Sequence, residues 1–583
     1  MGVLVAQLVQ WAGASAVFSR KTTWPRAICL GLDVAIVAFL VMVFGWKRLP
    51  YGLPQDIGFY LLFFGVAIVA TALLRGLLAL LRRRKGEETS SSAHPAASRR
   101  RGLSVVAAVA WSLLGAILLG LAGVLFFVPH WFHSFFGDLS ADQLIFLLTS
   151  GNGESTAETD ASVRNAMILP VVAVVLVGLQ LPVWFVRRWK RVAAVLVSAL
   201  LTVGSTCYAF AVLPLTDLST MNSSSEFLAE NYINPRDSVS FPEKKRNLLH
   251  IYLESVENSY YDAAHGGYDE RNYMPDLLAL NEKAVHFSNT DTMGGPHQTF
   301  GAVHSVAAMI NMEAGVPMKT SVTGGTAEAM YYPKFPTLGE MLHEQGYQTE
   351  LMMGADSSWG GLGDYYREHG DFLVFDHPYA IEHGYLEPGY KEWWGYEDDK
   401  IYEFAKKELT RLAAQEDPFY FILENADTHF PDGYKSKNMK EEPFDTQYGN
   451  VIFYSQREVT KFVKWVQEQP WGKDTTIVIV GDHRSMDKTF FEGWDRDYER
   501  TIVNMILNPA IAEPPRERMY NRDYAPFDLF PTTLAAIGAT MKDERAGLGT
   551  NLFSDKKTLI EEHGLKEVDG ALAKRSEFYF DFR

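Results

Sequence analysis

Past residue 207 the sequence has no cysteine, and before it only Cys29 and Cys207, both inside apolar runs. Two such cysteines exclude a disulfide framework and a cysteine-ligated zinc site. Any metal held by the C-terminal part must therefore use oxygen and imidazole ligands. The formal charge of −16 resides mainly in residues 216–583. That acidic balance argues against nucleic-acid binding, which needs a basic face. There is no internal repeat, and the one low-complexity stretch surrounds SSSAHPAASRRR.

What is present divides in two. Residues 1–215 are mostly apolar with basic punctuation, whereas residues 216–583 have the composition of an ordinary aromatic-rich globular domain. Crossing a bilayer takes about 20 apolar residues. Five runs meet that length: 27–46, 57–81, 103–128, 165–186 and 192–214. The first 19 residues read as an interfacial helix or the start of the first span. They do not read as a cleaved signal peptide, because their charges follow the apolar run. Arg20, Lys21 and Arg26, then LRRRK (81–85), SRRRG (98–102) and RRWKR (187–191) alternate with the runs. By the positive-inside rule the N-terminus is cytoplasmic and everything after residue 216 is not. Lys47 and Arg48 are a minor exception. The loop 129–163 is then also outside, and its segment LSADQLIFLL has the pattern of an amphipathic helix lying along the membrane surface.

The expected domains are a transmembrane part (1–215), a polar linker (216–247) and an extracytoplasmic catalytic domain (248–583). In the last, NLLHIYLE (247–254), YQTELMMG (347–354), FYFILENA (419–426) and TTIVIVGD (475–482) read as buried strands. DLLALNEKA, FPTLGEMLHEQG and DKIYEFAKKELTRLAAQ read as the helices between them. This alternation predicts an α/β domain with a mainly parallel central sheet.

Ligands of such sheets sit beyond the carboxyl ends of the strands. There the sequence places Glu254 after the first strand, Asp427, Thr428 and His429 after the third, and Asp482 and His483 after the last. The stretch GGPHQTFGAVHSVAAM (294–309) turns from a glycine-proline loop into a helical run. Thr299 is expected at the mouth of that helix, as a cap or as something chemical. Two carboxylates and an imidazole suit Mn²⁺, Mg²⁺ or Zn²⁺. Such a metal would activate the Thr299 hydroxyl and screen a phosphate, and the helix N-terminus would hold the phosphate. His429 could donate a proton to a leaving oxygen or hold a phosphate oxygen.

Residues 247–555 resemble the membrane-anchored phosphoglycerol transferases of the alkaline phosphatase/sulfatase superfamily, in particular the branch that decorates periplasmic glucans. Lipoteichoic acid synthases are more distant relatives. The resemblance rests on IYLESVENSYYD, HQTFGAV, WWGYEDD, DTHFPDG, KDTTIVIVGDHRSM and GLGTNLF, in the family's order and spacing. It implies that Glu254, Asp482 and His483 hold a divalent metal, most readily Mn²⁺, together with Thr299. It implies that Thr299 is the nucleophile and that His429 binds the substrate phosphate. Trp359 and Trp394 would line the substrate site, with Asp398 supporting Trp394. The arginine that lipoteichoic acid synthases carry near GADSSWGGLGDYY is not matched. The implied activity is transfer of phosphoglycerol from phosphatidylglycerol, through a covalent threonine ester, to a cell-envelope glycan or glycolipid. The enzyme would be a multi-pass membrane protein with its catalytic domain outside the cytoplasm.

Two other chemistries fit the same fold: phosphoethanolamine transfer and phosphodiester hydrolysis. Sulfatase activity is not expected, since Thr299 lies in no Cys/Ser-x-Pro-x-Arg pattern. A non-catalytic scaffold is the remaining alternative, against which stand the intact Glu254, Thr299, Asp482 and His483.

Overall fold

The computed structural model describes residues 95–137, 139–149, 162–172, 174–175, 188–319 and 334–582. The chain divides into two compact units, one of residues 1–124 and 169–204, the other of residues 125–168 and 205–583. The runs at 27–46 and 57–81 lie outside the described residues, as does most of 165–186.

In the first unit, two helices dominate the described residues: α1 (Pro95–Phe136) and α3 (Arg188–Val212), each continuing into the second unit. Leu113–Phe136 and Val192–Val212 are long and apolar enough to cross a membrane, with mean hydropathies of 2.2 and 1.9. Ile117 and Leu200, on these two helices, are 66% and 72% exposed. The apolar part of α1 runs on through Pro129 to Phe136. The helix that carries the run expected at 103–128 thus continues to Phe136, past residue 129 where a loop was expected.

The second unit is built on a six-stranded sheet. Its strands are β1 (Asn247–Leu253), β2 (Gln348–Met353), β3 (Leu373–Phe375), β4 (Phe419–Glu424), β5 (Thr475–Gly481) and β6 (Asn504–Leu507). They lie in the order β3-β2-β4-β1-β5-β6, all parallel except β6, which runs antiparallel to β5. A parallel sheet is covered on both faces, so its strands are continuous apolar runs. Alternate residues serve opposite layers. Leu248, Tyr252, Ile422 and Val478 pack on one side with α5 (Ser305–Ala314), α6 (Leu338–Glu344) and α9 (Leu529–Ala536). Leu249, Ile251, Phe421 and Ile479 pack on the other with α4 (Pro275–Asn281), α7 (Asp398–Ala413) and α8 (Gln447–Glu468). The four strands and three helices read from the sequence are all present. The stretch 216–247 is folded onto this unit: Val239–Ser240 pairs with Thr540–Met541, and Leu228 is buried beside Leu548.

The helix read from LSADQLIFLL is present as α2 (Ala141–Thr149). Phe146 is buried in the catalytic core, stacked on His304 at 3.9 Å and edge-on to Trp359 at 5.3 Å. Residues 141–146 are buried against protein, whereas Leu148 is 65% exposed.

Candidate metal centre and active site

Register brings the acidic residues together. In the parallel β1–β5 pair, Leu253 stands opposite Gly481, so Glu254 and Asp482 leave the sheet side by side at its carboxyl edge. Ser255 then turns in the left-handed region (φ 57°). The turn aims its N–H at Asp482 Oδ1 (2.7 Å) and its hydroxyl at Glu254 Oε1. His483 N–H also donates to Asp482 Oδ1 (2.7 Å). Asp482 Oδ2 is left buried with no hydrogen-bond partner, 3.3 Å from His483 Nε2. His483 Nδ1 donates to the Arg484 carbonyl (2.8 Å), which leaves the Nε2 lone pair pointing inward. Glu254 Oε1 lies 3.7 Å from that nitrogen.

Glu254, Asp482 and His483 are all buried, with ligand atoms within 4.8 Å of one another. Burial, and then the charge of Glu254, push the Asp482 carboxyl above its ordinary range. Glu424, buried nearby, is pushed up by burial and by Asp482 and Glu254. Burial alone would lower His483, but Asp482 and Glu254 outweigh it and raise the imidazole. Carboxylates packed this way, one with an orphaned oxygen, suit a cation. A divalent metal fits the donor set.

Two hydroxyls meet this cluster, that of Ser255 on Glu254 Oε1 and that of Ser305, which also reaches His483. Ser305 Oγ donates to Glu254 Oε2 (3.1 Å) and lies 3.3 Å from His483 Nε2. Ser305 opens α5, whose N-cap is His304. Thr299, expected at the helix mouth, lies six residues earlier. The chain bends at Gly301 (φ 73°), where a Cβ would come within 2.6 Å of the Met318 carbonyl oxygen, so the helix does not extend back to Thr299. The Thr299 hydroxyl is buried without a hydrogen-bond partner, and the residue borders a different cavity.

A small cavity of about 80 Å³ opens onto Glu254 and Ser305, and Trp359, Trp394 and His429 line it. Trp394 Nε1 is a buried donor with no partner, and its ring is 4.9 Å from His429. His429 Nδ1 donates to the Phe430 carbonyl (2.6 Å), leaving Nε2 as a proton acceptor. Burial lowers its imidazole to about 4, so it is neutral near pH 7. Asp398 accepts from Asn425 Nδ2 and from the N–H groups of Ala426 and Asp427, and Asn425 Oδ1 accepts from Glu254 N–H (2.8 Å). Asp398 thus anchors the loop carrying His429, in place of the support for Trp394 expected of it. Ser305, Asn425 and Phe146 were not singled out in the sequence. A serine opening the helical run was the one available sign of the first.

A parallel-sheet domain with buried carboxylates and an imidazole at its strand ends defines a class of α/β proteins built around a candidate metal centre. The sulfatase family model matches residues 246–539, and the chain belongs to the sulfatase family. Phosphoglycerol transferase I of Salmonella arizonae and that of Escherichia coli O127:H6 are each 29% identical to it over 464 residues. The alignment covers 76% of this chain and 57% of each relative, so the chain spans little more than half the length of the curated relatives it matches. A lipoteichoic acid synthase structure from Listeria monocytogenes is 16% identical, covering 54% of this chain and 79% of that one, with a TM-score of 0.43.

Proposed function

We propose that this chain is a metal-dependent phosphotransferase that moves phosphoglycerol from phosphatidylglycerol to a cell-envelope glycan or glycolipid through a covalent ester on Ser305. The observation that carries the reading is the Ser305 hydroxyl on Glu254 and His483. The relatives' name, phosphoglycerol transferase I, agrees with the group transferred.

Glu254, Asp482 and His483 would hold a divalent metal, which would supply Lewis acidity and charge screening at the phosphate. Ser305 Oγ attacks phosphorus, the bond to the diacylglycerol oxygen breaks, and diacylglycerol leaves carrying the proton that the Ser305 hydroxyl gives up. The backbone N–H groups opening α5 cradle the phosphate. Trp394 Nε1 and Trp359 bound the pocket around the glycerol. His429, neutral with a free Nε2, then takes the proton of the acceptor hydroxyl as that oxygen displaces Ser305. Five spans with the catalytic domain outside would hold enzyme and donor lipid in one plane and raise their effective concentration.

The test is diacylglycerol release by the full-length protein from phosphatidylglycerol with Mn²⁺. Release that disappears with Ser305→Ala and without metal supports the reading. Release from phosphatidylethanolamine alone would replace the donor, and release from neither lipid would overturn it.

A further inference from the structure

One buried carboxylate joins the two chain segments that carry the candidate metal ligands, and it belongs to none of those ligands. Glu257 stands three residues beyond Glu254 and is fully buried. Its Oε1 accepts the N–H of Ser485 (2.7 Å), two residues beyond His483. Arg500 holds both of its oxygens, donating from Nε to Oε2 (2.8 Å) and from Nη2 to Oε1. Oε2 also accepts from the Ser259 hydroxyl (2.9 Å). Arg500 Nη2 donates in turn to the Ser485 carbonyl (2.7 Å), so the pair grips Ser485 at both its N–H and its C=O. The guanidinium carbon of Arg500 lies 3.5 Å from the centre of the Phe491 ring. Asn258 donates its N–H to the Thr501 carbonyl (2.8 Å) and Nδ2 to the Ile502 carbonyl (2.7 Å), which ties the chain after Arg500 to the chain after Glu257.

The N–H that Glu257 holds belongs to the peptide between Arg484 and Ser485. That peptide is trans, so its N–H and its C=O point in opposite directions. The N–H meets Glu257, and the C=O accepts from His483 Nδ1 (2.8 Å). A carbonyl only accepts, so Nδ1 carries the hydrogen and Nε2 keeps its lone pair toward Asp482 and Glu254. The peptide atoms are coplanar, so fixing the N–H end fixes the C=O end. A carboxylate at the N–H end also polarises the peptide and strengthens its carbonyl as an acceptor. Hydrogen bonds therefore run from Arg500 through Glu257 and one peptide to the ring of His483, the kind of outer support that orients a metal-binding imidazole. Gln298, which is neutral, holds the preceding N–H, that of Arg484, more loosely at 3.3 Å.

Stability does not account for the pair. Burying two charges costs about as much as their attraction returns, and apolar side chains often replace such pairs without loss. What this pair supplies is orientation, and it does so on the segments that carry Glu254 and His483.

We propose that Glu257 and Arg500 are positioning residues for the metal centre, setting the orientation and tautomer of His483 through the 484–485 peptide. The inference rests on the metal-centre part of the reading above, and not on the donor lipid, the acceptor or the nucleophile.

The test uses chelator-stripped full-length protein in detergent. Mn²⁺ binding is followed by isothermal titration, and Co²⁺ is bound separately because its ligand-field absorption reports ligand geometry. Two double variants remove the ion pair without leaving a lone buried charge. Glu257→Gln with Arg500→Met keeps a neutral acceptor for the Ser485 N–H, and Glu257→Leu with Arg500→Met keeps none. Mn²⁺ affinity should fall about fivefold in the first and about fiftyfold in the second, the scale of losing an outer partner of a metal ligand. The Co²⁺ bands should shift in the same order. The melting temperatures of the stripped proteins report folding separately and should not follow that order.

Mn²⁺ affinity of the glutamine variant within about twofold of wild type would overturn the proposal. Equal losses in the two variants would also overturn it, since they would tie the effect to the lost charges and not to the peptide N–H. If the leucine variant does not fold, the glutamine variant decides alone, with weaker Mn²⁺ binding and shifted Co²⁺ bands supporting the proposal and unchanged values overturning it. Wild type that binds no Mn²⁺, or Mn²⁺ binding that survives Asp482→Asn, would remove the metal centre and this proposal with it. A protein that binds Mn²⁺ through Asp482 and weakens in the stated order, yet forms no ester with phosphatidylglycerol, would lose the phosphotransferase reading and keep this one.

Discussion

Ser305 Oγ lies 3.1 Å from Glu254 Oε2, so the first residue of α5 meets the first residue beyond β1 although 51 positions separate them. That contact joins a hydroxyl to a carboxylate whose own partners are Asp482 and His483. It fixes which hydroxyl of the 294–309 stretch is presented to the candidate metal.

Substituting Ser305 tests that assignment first. Ser305→Ala should lower diacylglycerol release by roughly 10⁴-fold or more, as loss of a nucleophile does. Metal binding should persist, because Glu254, Asp482 and His483 remain. Thr299→Val should keep most of the release. Full release from Ser305→Ala with loss in Thr299→Val would reverse the two roles.

Metal and stability are coupled at Asp482. Stripping the protein with a chelator should lower its melting temperature, and Mn²⁺ should restore it. At a hundredfold excess over Kd the gain is about 2.7 kcal/mol. Asp482→Asn should abolish that gain. The stripped Asp482→Asn protein should be no less stable than stripped wild type, because it removes a buried charge beside Glu254. A stripped variant that melts well below stripped wild type would contradict the account.

Acid should destabilise the catalytic unit through buried neutral histidines. Burial lowers His286 from 6.5 to about 4, and both its ring nitrogens lack partners. The unfolded chain binds the proton between those values and the folded chain does not. The stability His286 contributes is therefore present above pH 6.5 and lost as pH falls toward 4. The loss amounts to roughly 3 kcal/mol. His286→Leu should flatten the pH dependence of urea unfolding over that window; an unchanged slope would show that His286 does not drive it.

Phe146 reports on the packing of α2. Phe146→Ala empties a site that is 1% exposed beneath His304 and Trp359. It should cost about 3 kcal/mol of catalytic-domain stability in detergent. A melting temperature equal to wild type would instead return α2 to the membrane surface.

The elements that bury both faces of the sheet were legible because a two-sided strand is an unbroken apolar run, as in TTIVIVG. β3 and β6 were not, having three and four residues and no such run. Glu254 and Asp482 stood out because each follows a strand directly, and His483 because it follows Asp482. Ser305 escaped because one residue, Gly301, bends the chain and moves the helix start away from Thr299. Phe146 pairs with a histidine 158 residues away, and no local pattern distinguishes such a face from one meant for lipid.

The most direct measurement is to incubate the full-length protein with phosphatidylglycerol and Mn²⁺, quench it, and locate the modified residue by peptide fragmentation. The account predicts a phosphoglycerol ester on Ser305, absent without metal. An ester on Thr299, or a peptide spanning 294–309 that stays unmodified while diacylglycerol is released, would contradict it.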